Sequence, residues 1–442
     1  MLYFGQPHIT IMELTAKQAK HTKHACYFAY LAMSSIFSLP PLLFNTFRAM
    51  YGISYTLLGT LVLINFCTQL TVDLIFTFFT KYFNPHKTVR IMPCLTTLGL
   101  LVYALIPTFF PQIAYVGFVA GTVIFSIAAG LCEVMLSPTV AALPSDNPDR
   151  DMSMLHSLYG WGVLMVIVIS TLFLRIFGTE YWMVLTLFWA MLPIASCVLF
   201  CTSKLPEMDL TSQSDSAEAA KKKNFGLALC VACIFLGSAA ENAMTNWISG
   251  YMETALHLPK VIGDILGMAA FAMLLVLART LYAKYGKNIT AILMYSMIGA
   301  VICYLVAALS PFVVLSMIAC MLTGFVTSML WPGTLILMEE KIPNPGVTAY
   351  ALMAAGGDFG ASVAPQMLGI ITDNVAASNW AAELSVNLAL TPDEIGMKVG
   401  MITAAVFPLI GIGVVLFIKR YFAKVLYFPP FIKKNSLSHE KA

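Results

Sequence analysis

The stretch GLCEVMLSPTVAAL, residues 130–143, sets a single carboxylate, that of Glu133, among small and apolar residues. The stretch GFVTSMLWPGTLIL, residues 324–337, follows the same pattern of glycine, four residues, Met-Leu, one residue and proline. Glu133 in the first stretch corresponds to Thr327 in the second. One apolar motif in two distant parts of a chain predicts two related halves built from the same set of helices.

The composition of the whole chain indicates that most of its surface faces lipid rather than water. Hydrophobic residues make up 59% of the 442 residues and charged residues only 11%, with a mean hydropathy of +0.82. Soluble domains average ~25% charged residues. The apolar runs are continuous rather than alternating, and each can cross a ~30 Å hydrocarbon layer as a helix. We therefore predict an all-α integral membrane protein with about twelve transmembrane helices in two pseudo-symmetric six-helix bundles. Numbered from one to twelve in chain order, the predicted spans are 25–47, 54–79, 89–109, 112–136, 152–176, 180–202, 225–251, 261–283, 289–309, 312–337, 347–372 and 398–422.

A polar segment rich in Ser, Ala and charged residues divides the apolar runs into two sets and is typical of a flexible linker. The predicted units are a cytoplasmic N-terminal tail at 1–24, an N-terminal six-helix bundle at 25–202, a cytoplasmic linker at 203–224, a C-terminal six-helix bundle at 225–422 and a cytoplasmic tail at 423–442. The N-terminal tail lacks the apolar core of a signal peptide, and Met1 and Met12 are both candidate starts.

The distribution of Lys and Arg predicts the orientation in the membrane. Only four of the 25 lie near predicted outer ends, and these are Arg48, Arg175, Lys260 and Lys398. Under the positive-inside rule this bias places both termini in the cytoplasm. We expect a multi-pass protein of the cell (inner) membrane that acts as a monomer in the lipid bilayer. The net charge of +3 is too small to indicate nucleic-acid binding.

Four acidic residues lie inside the predicted spans, although a charge at the bilayer centre costs about 2.5–3.5 kcal/mol on insertion scales. They are Asp73, Glu133, Glu241 and Asp358. Each has polar residues on the same face of its own helix, so each of these helices has a polar stripe. Such stripes normally face a bundle interior or a water-filled cavity, which predicts a central hydrated path.

We assign a proton-coupling role to Glu133, Glu241 and Asp358, and we assign Asp73 to a gate. Burial favours the neutral form of a carboxyl group, whereas water or a nearby cation favours the charged form. A carboxyl exposed to the two sides in turn can therefore bind and release a proton. His156, near the inner end of span five, is a candidate relay. A packing contact between helices is the alternative role for Asp73, Asp358 and His156.

Amide and aromatic side chains near the acids are the candidate solute ligands, because aromatic faces pack against sugar rings and amides bind hydroxyl groups. The candidates are Asn65, Gln69, Asn242, Asn246, Trp247, Trp331 and Gln366. Two alternatives stay open. Buried amides often only tie helices together, and tryptophans often form belts at the membrane interface.

The chain lacks the P-loop, GxSxG and HExxH motifs, so nothing indicates ATP-driven pumping or hydrolysis. We predict that the protein is not an enzyme and that it has neither a cofactor nor a metal site. Sodium stays open as an alternative coupling ion, because carboxylates and backbone carbonyls are suitable ligands for hard cations.

The chain resembles the major facilitator superfamily over essentially its whole length, with six plus six spans and a central cytoplasmic linker. That superfamily has a basic loop after spans two and eight. The stretch ARTLYAKYGKNIT, residues 278–290, keeps this pattern, and the resemblance implies a gate role for Arg279 and Lys284. The stretch FTKYFNPHKTVR, residues 79–90, lacks the acidic residue that is usual after span two.

Within the superfamily the chain is most similar to the fucose permease branch of sugar–proton symporters. That branch has Glu-x-x-x-Asn-Pro in span four, where this chain has Glu133 and then Ser-Pro at residues 137–138. The resemblance implies that Glu133 couples transport to protons. Span one has Pro40, Pro41 and Asn45 in the region of the branch's sugar-binding acid, so we do not predict fucose itself.

The leading hypothesis is a secondary active transporter that works by alternating access and takes up a sugar or related polar solute with protons. An exporter of amphipathic or drug-like compounds is an alternative that fits the apolar, aromatic lining. A non-transporting membrane sensor is a hypothesis of a different class, and the lack of an appended soluble domain speaks against it.

Overall fold

The computed structural model describes residues 14–79, 82–145, 148–206, 220–342 and 346–425. Across these residues the chain forms helices joined by short turns, and no strand occurs among them. Within the described ranges, eleven helical stretches are long and apolar enough to cross a membrane. The remaining predicted span is the helix Gly346–Ala376, which has 31 residues. The all-α membrane fold predicted from hydropathy is confirmed.

Each predicted span corresponds to one helical stretch, and three of the stretches change geometry along their length. In chain order they are α1 Ala16–Tyr51; α2 Tyr55–Phe79; α3 Pro85–Phe109; α4 Ala114–Ala141; α5 Pro148–Phe177; α6 Trp182–Thr202; α7 Ala220–Thr254; α8 Lys260–Ile262, the π-helical turn Gly263–Ala269 and Ala270–Tyr285; α9 Ile289–Leu309; α10 Val313–Thr327 and Leu330–Lys341; α11 Gly346–Ala376; and α12 Pro392–Ala404 and Val406–Val425. A short helix, Asn379–Leu388, connects α11 to α12.

We use "inner" for the side of the membrane with the basic segments and "outer" for the opposite side. Helix α1 begins well before its apolar span, because Thr15 and Gln18 form a capping box at its start. Thr391 and Glu394 form a second capping box at the outer start of α12. The first turn of α12 is thereby fixed on the outer side.

The glycines of the repeated motif have equivalent packing roles in the two halves. Gly130 brings α4 against α2, where a Cβ atom would lie 2.9 Å from the side chain of Val72. Gly324 brings α10 against α8, where a Cβ atom would lie 2.3 Å from the carbonyl oxygen of Phe271. Only glycine permits both approaches, so the repeat in the sequence corresponds to a repeat in the helix packing.

Helix α1 has two consecutive prolines, Pro40 and Pro41, in the interior of its 36 residues. Proline has no N–H, so the carbonyls of Ile36 and Phe37 lose the donors four residues further along the helix. The surrounding turn is packed inside the protein, since Ile36 and Leu39 are each only 1% exposed.

Hydrogen bonds and ion pairs between the two halves cluster at the outer ends of the helices within the described ranges. They join Asn45 to Glu253, Arg48 to Asp393, Lys260 to the carbonyl of Leu42, Thr171 to Asp264, and the amides of Tyr55 and Thr56 to Asp373. We call this set the outer gate. It closes the outer side of the interface between the halves.

Helix α2 receives part of its N-terminal capping from the opposite half of the protein. The carboxylate of Asp373 on α11 accepts hydrogen bonds from the amides of Tyr55, at 3.2 Å, and Thr56, at 2.6 Å. The first amides of a helix have no partner within the helix, and a carboxylate is a strong acceptor for them. Opening the outer gate therefore removes the acceptor of these two amides, while the hydroxyl of Ser54 still accepts a 3.2 Å hydrogen bond from the amide of Leu57.

Replacing Asp373 by alanine is expected to increase amide hydrogen exchange in the first turn of α2 about tenfold, since a hydrogen bond to a charged group contributes about 1.5–3 kcal/mol. Asp373→Asn keeps one acceptor oxygen and should have a smaller effect. The measurement is hydrogen exchange of a peptide that covers Tyr55 and Thr56, with a peptide from α9 as the internal control. Unchanged exchange in Asp373→Ala would contradict the capping role.

Candidate functional site

Three carboxyl groups meet in the inner part of the interface between the halves. Asp73 lies on α2, Glu133 on α4 and Asp358 on α11, and one carboxylate oxygen of each lies within 4.8 Å of the other two. We call these residues the carboxyl cluster. Asp73 and Glu133 lie about two helical turns from the inner ends of their helices. Because α2 and α4 belong to one half and α11 to the other, the cluster lies across the interface between the halves.

The cluster combines a buried acid with an accessible one. The side chain of Asp358 is 6% exposed, and among the described residues its Oδ2 has no hydrogen-bond partner. Oδ1 of Asp73 has none either. Glu133 is exposed and is therefore the member of the cluster that solvent can reach. Three negative charges at this separation repel one another strongly, so the cluster requires a shared proton or a bound cation.

A further acid, paired with an arginine, lies in the C-terminal half. Glu241 of α7 has an oxygen 3.8 Å from the guanidinium of Arg279 on α8, and both side chains are partly exposed. Arg279 also donates a hydrogen bond of 2.9 Å to the carbonyl of Ser328, where α10 is interrupted. Arg279 therefore joins α7, α8 and α10 within one half.

Two tyrosines that are not among the candidates from the sequence lie near these acids. Tyr159 of α5 lies within electrostatic range of Glu133, Glu241 and Arg279, and Tyr30 of α1 lies within range of Glu133. The signal in the sequence that could have identified Tyr159 is the nearby glycine at residue 162. A Cβ atom there would lie 2.3 Å from a side-chain oxygen of α1. This close approach of α5 to α1 places the ring of Tyr159 with its centroid 6.3 Å from that of Tyr30.

The predicted amide ligands of α2 are bound to one another. The side-chain amide of Gln69 donates to Oδ1 of Asn65 at 2.9 Å, and Ser126 of α4 donates to the same oxygen at 2.6 Å. The network is buried and lies within one half. On α7, Asn242 and Asn246 each donate to a carbonyl of their own helix. None of these four amides contacts the carboxyl cluster through a hydrogen bond in the described structure.

The two candidate tryptophans occupy different environments. Trp247 is fully buried on the outer side, packs against Phe44 and Tyr55, and donates a 3.0 Å hydrogen bond to the carbonyl of Pro365. It lies within the outer gate region. Trp331 follows the interruption in α10, remains partly exposed, and places its ring against Gly357 of α11.

The remaining candidates lie away from the carboxyl cluster or outside the described side chains. Gln366 of α11 is close to Gly59 of α2, and its Oε1 has no partner among the described residues. Lys284 is exposed at the inner end of α8, with its ammonium 5.1 Å from the centroid of the Tyr285 ring. The side chain of His156 lies outside the described part of the structure.

Replacing Gly357 by alanine is expected to weaken solute binding about tenfold, because its Cβ atom would lie 2.3 Å from the ring of Trp331 and would displace it. The measurement combines the solute dissociation constant with the intrinsic tryptophan fluorescence of the purified protein. The matched control is Gly413→Ala on α12, where a Cβ atom meets nothing within 4 Å. Unchanged affinity together with a change in fluorescence that Gly413→Ala does not cause would remove Trp331 from the solute site.

Comparison with known proteins identifies a family profile and several similar structures. The profile of the Major Facilitator Superfamily matches residues 25–365. No curated protein is similar enough in sequence to count as a match. A bacterial homologue of the human lysosomal transporter Spinster, inward-facing and unoccupied, has a TM-score of 0.73 at 10% identity, over 94% of this chain and 100% of that chain.

Two sugar transporters of E. coli have similar structures. The xylose transporter in an inward open conformation has a TM-score of 0.66 at 13% identity, over 94% of this chain and 98% of that chain. The fucose:proton symporter has a TM-score of 0.53 at 11% identity, over 88% of this chain and 98% of that chain. At these identities the likeness shows the fold alone.

Proposed function

Because the chain belongs to the Major Facilitator Superfamily, a family of membrane transporters, we propose that it is a secondary active transporter that takes up a sugar or related polar solute with protons. The carboxyl cluster is the observation that supports this proposal most strongly. It places ionisable groups of both halves within 4.8 Å of one another, at the interface that opens and closes. Binding or loss of one proton there changes the interaction between the halves directly.

The closed outer gate and the exposed Glu133 correspond to a conformation from which the cluster communicates with the inner side. Protonation of the cluster removes the repulsion among the three carboxyl groups and allows them to remain in contact. Release of the proton to the inner side restores the repulsion and favours separation of the halves. A proton gradient is in this way converted into alternating access.

The solute site is proposed to lie between the carboxyl cluster and the pair formed by Glu241 and Arg279. This region combines charged groups, the hydroxyl of Tyr159 and the partly exposed ring of Trp331. Hydroxyl-rich solutes match such a lining, because they present hydrogen-bonding groups around a ring with an apolar face. We further propose the cell membrane as its location, with both termini in the cytoplasm.

The test begins with thermal unfolding of the purified protein in the presence of monosaccharides and sugar acids, at acidic and neutral pH. The ligands that stabilise the protein are then tested for uptake into proteoliposomes with an alkaline interior. Solute-dependent acidification of the lumen is the expected result. Uptake driven only by a sodium gradient would mean that sodium, and not a proton, is the coupling ion at the cluster. Stabilisation by apolar cations alone, without sugar binding, would instead favour the exporter.

A further inference from the structure

The inner end of α1 extends beyond its apolar span and forms one wall of a basic pocket. The pocket has a volume of about 360 Å³ and is lined by Lys17, Gln18, Lys20, His21, His24, Thr202 and Lys204. These residues come from the first turns of α1 and from the end of α6. Three lysines and two histidines line it, and no carboxylate of the described residues does.

The opposite wall of the basic pocket is held in place by side chains from other helices. Thr22 of α1 donates a 2.8 Å hydrogen bond to the carbonyl of Lys204. The ring of His21 lies 2.8 Å from the hydroxyl of Thr202. Arg90 of α3 donates to the carbonyl of Ser203 at 3.3 Å. The segment after α6 is therefore fixed against α1 and α3, and the pocket is part of the packed structure.

The positive charge of the basic pocket is not neutralised by the protein within the described residues. Lys23 points away from the pocket and forms an ion pair of 2.7 Å with Asp151 of α5. Lys17, Lys20 and Lys204 form no ion pair with a described carboxylate, and all three are exposed. Concentrated positive charge of this kind attracts an anion with several oxygen acceptors.

The surroundings of the basic pocket match a lipid better than a free anion. The next turns of α1 and α6 present exposed apolar side chains, with Phe28 39% exposed and Val198 60% exposed. They lie on the membrane side of the pocket, where acyl chains would continue from a headgroup. A Lys near an anionic membrane surface contributes about 1 kcal/mol to the attraction. We propose that the basic pocket binds the phosphate headgroup of an anionic phospholipid of the inner leaflet.

Native mass spectrometry of the full chain with short-chain phosphatidylglycerol, and separately with phosphatidylcholine of the same chain length, tests this proposal. Lys20→Gln combined with Lys204→Gln should weaken phosphatidylglycerol binding about tenfold and leave phosphatidylcholine binding unchanged. The matched control is Lys87→Gln combined with Lys287→Gln, which removes the same charge from exposed inner positions outside the pocket. It should change binding less than about twofold.

An equal loss of binding in both double variants, or no loss in either, would overturn the proposal. Inorganic phosphate that displaces phosphatidylglycerol at an equal concentration would also overturn it, because the site would then recognise a free anion. The single variant Lys20→Gln changes one exposed helix position, so it keeps the test valid if the double variant fails to fold. Its expected loss is about threefold.

Discussion

Replacing Glu133 by glutamine is expected to abolish proton-driven accumulation of the solute while solute exchange continues. Glutamine keeps the size and hydrogen-bonding groups of the side chain but cannot bind and release a proton. A gradient of one pH unit supplies about 1.4 kcal/mol per proton, which is about a tenfold accumulation. In proteoliposomes with an alkaline interior, Glu133→Gln should reach only the external concentration.

The control for this variant is Thr327→Val, at the corresponding position of the other half. Thr327 is buried and donates only to a carbonyl of its own helix, at 2.8 Å. Its replacement should leave proton-driven accumulation intact. Counterflow of labelled solute against unlabelled solute separates loss of coupling from loss of folding. Normal accumulation by Glu133→Gln would remove Glu133 from the coupling mechanism.

Replacing Asp264 by alanine is expected to lower the midpoint of thermal unfolding by roughly 5 °C, the second large effect. Asp264 lies in the π-helical turn of α8 and is fully buried. It accepts hydrogen bonds from Ser249 of its own half and from Thr171 of the other, and Lys260 lies 3.4 Å from the same carboxylate. Removal of the carboxylate leaves a half-buried ammonium and two hydroxyl groups without this acceptor.

Asp264→Asn provides the matched control because it retains the shape and one acceptor oxygen. It should lose about half as much stability as Asp264→Ala. The loss should also favour opening of the outer gate, which increased outer-side access of a membrane-impermeant thiol reagent to an engineered cysteine would detect. A variant with an unchanged unfolding midpoint and unchanged access would show that the buried carboxylate has no role in closure.

The number of membrane-spanning helices could be predicted from the sequence, whereas the inner end of α1 could not. Continuous apolar runs must form helices in lipid, since every backbone polar group needs a partner there. Helix α1 begins at Ala16, well before the predicted span at residue 25, because its capping box and its lysines extend it into water. Hydropathy predicts which part of a chain lies in lipid and not where a helix begins. The polar first turns of α1, before residue 25, therefore had no apolar signal.

The candidate site could be predicted from the sequence only in part. Spacing along each helix places every acid on one face with polar residues, but spacing within one helix cannot show which helices bring their acids together. The sequence therefore assigns Asp73 to a gate, whereas the structure places it within 4.8 Å of Glu133 and Asp358.

Asn65 and Gln69 are buried amides on one helix face, as solute ligands would be. In the structure they bind each other and Ser126 in a closed network, and spacing along α2 could not reveal this third partner on α4. The proton-coupling and solute roles themselves stay predictions.

The two consecutive prolines of α1 restrict the movements that the transport cycle can use. The carbonyls of Ile36 and Phe37 have no donor within the helix, and an unsatisfied carbonyl in hydrocarbon costs several kcal/mol. Rotation of α1 that turned these oxygens towards the acyl chains would therefore be prohibitive. Throughout the transport cycle this turn of α1 must therefore stay against protein or water. Tilting of α1 meets this condition, whereas rotation towards the acyl chains does not.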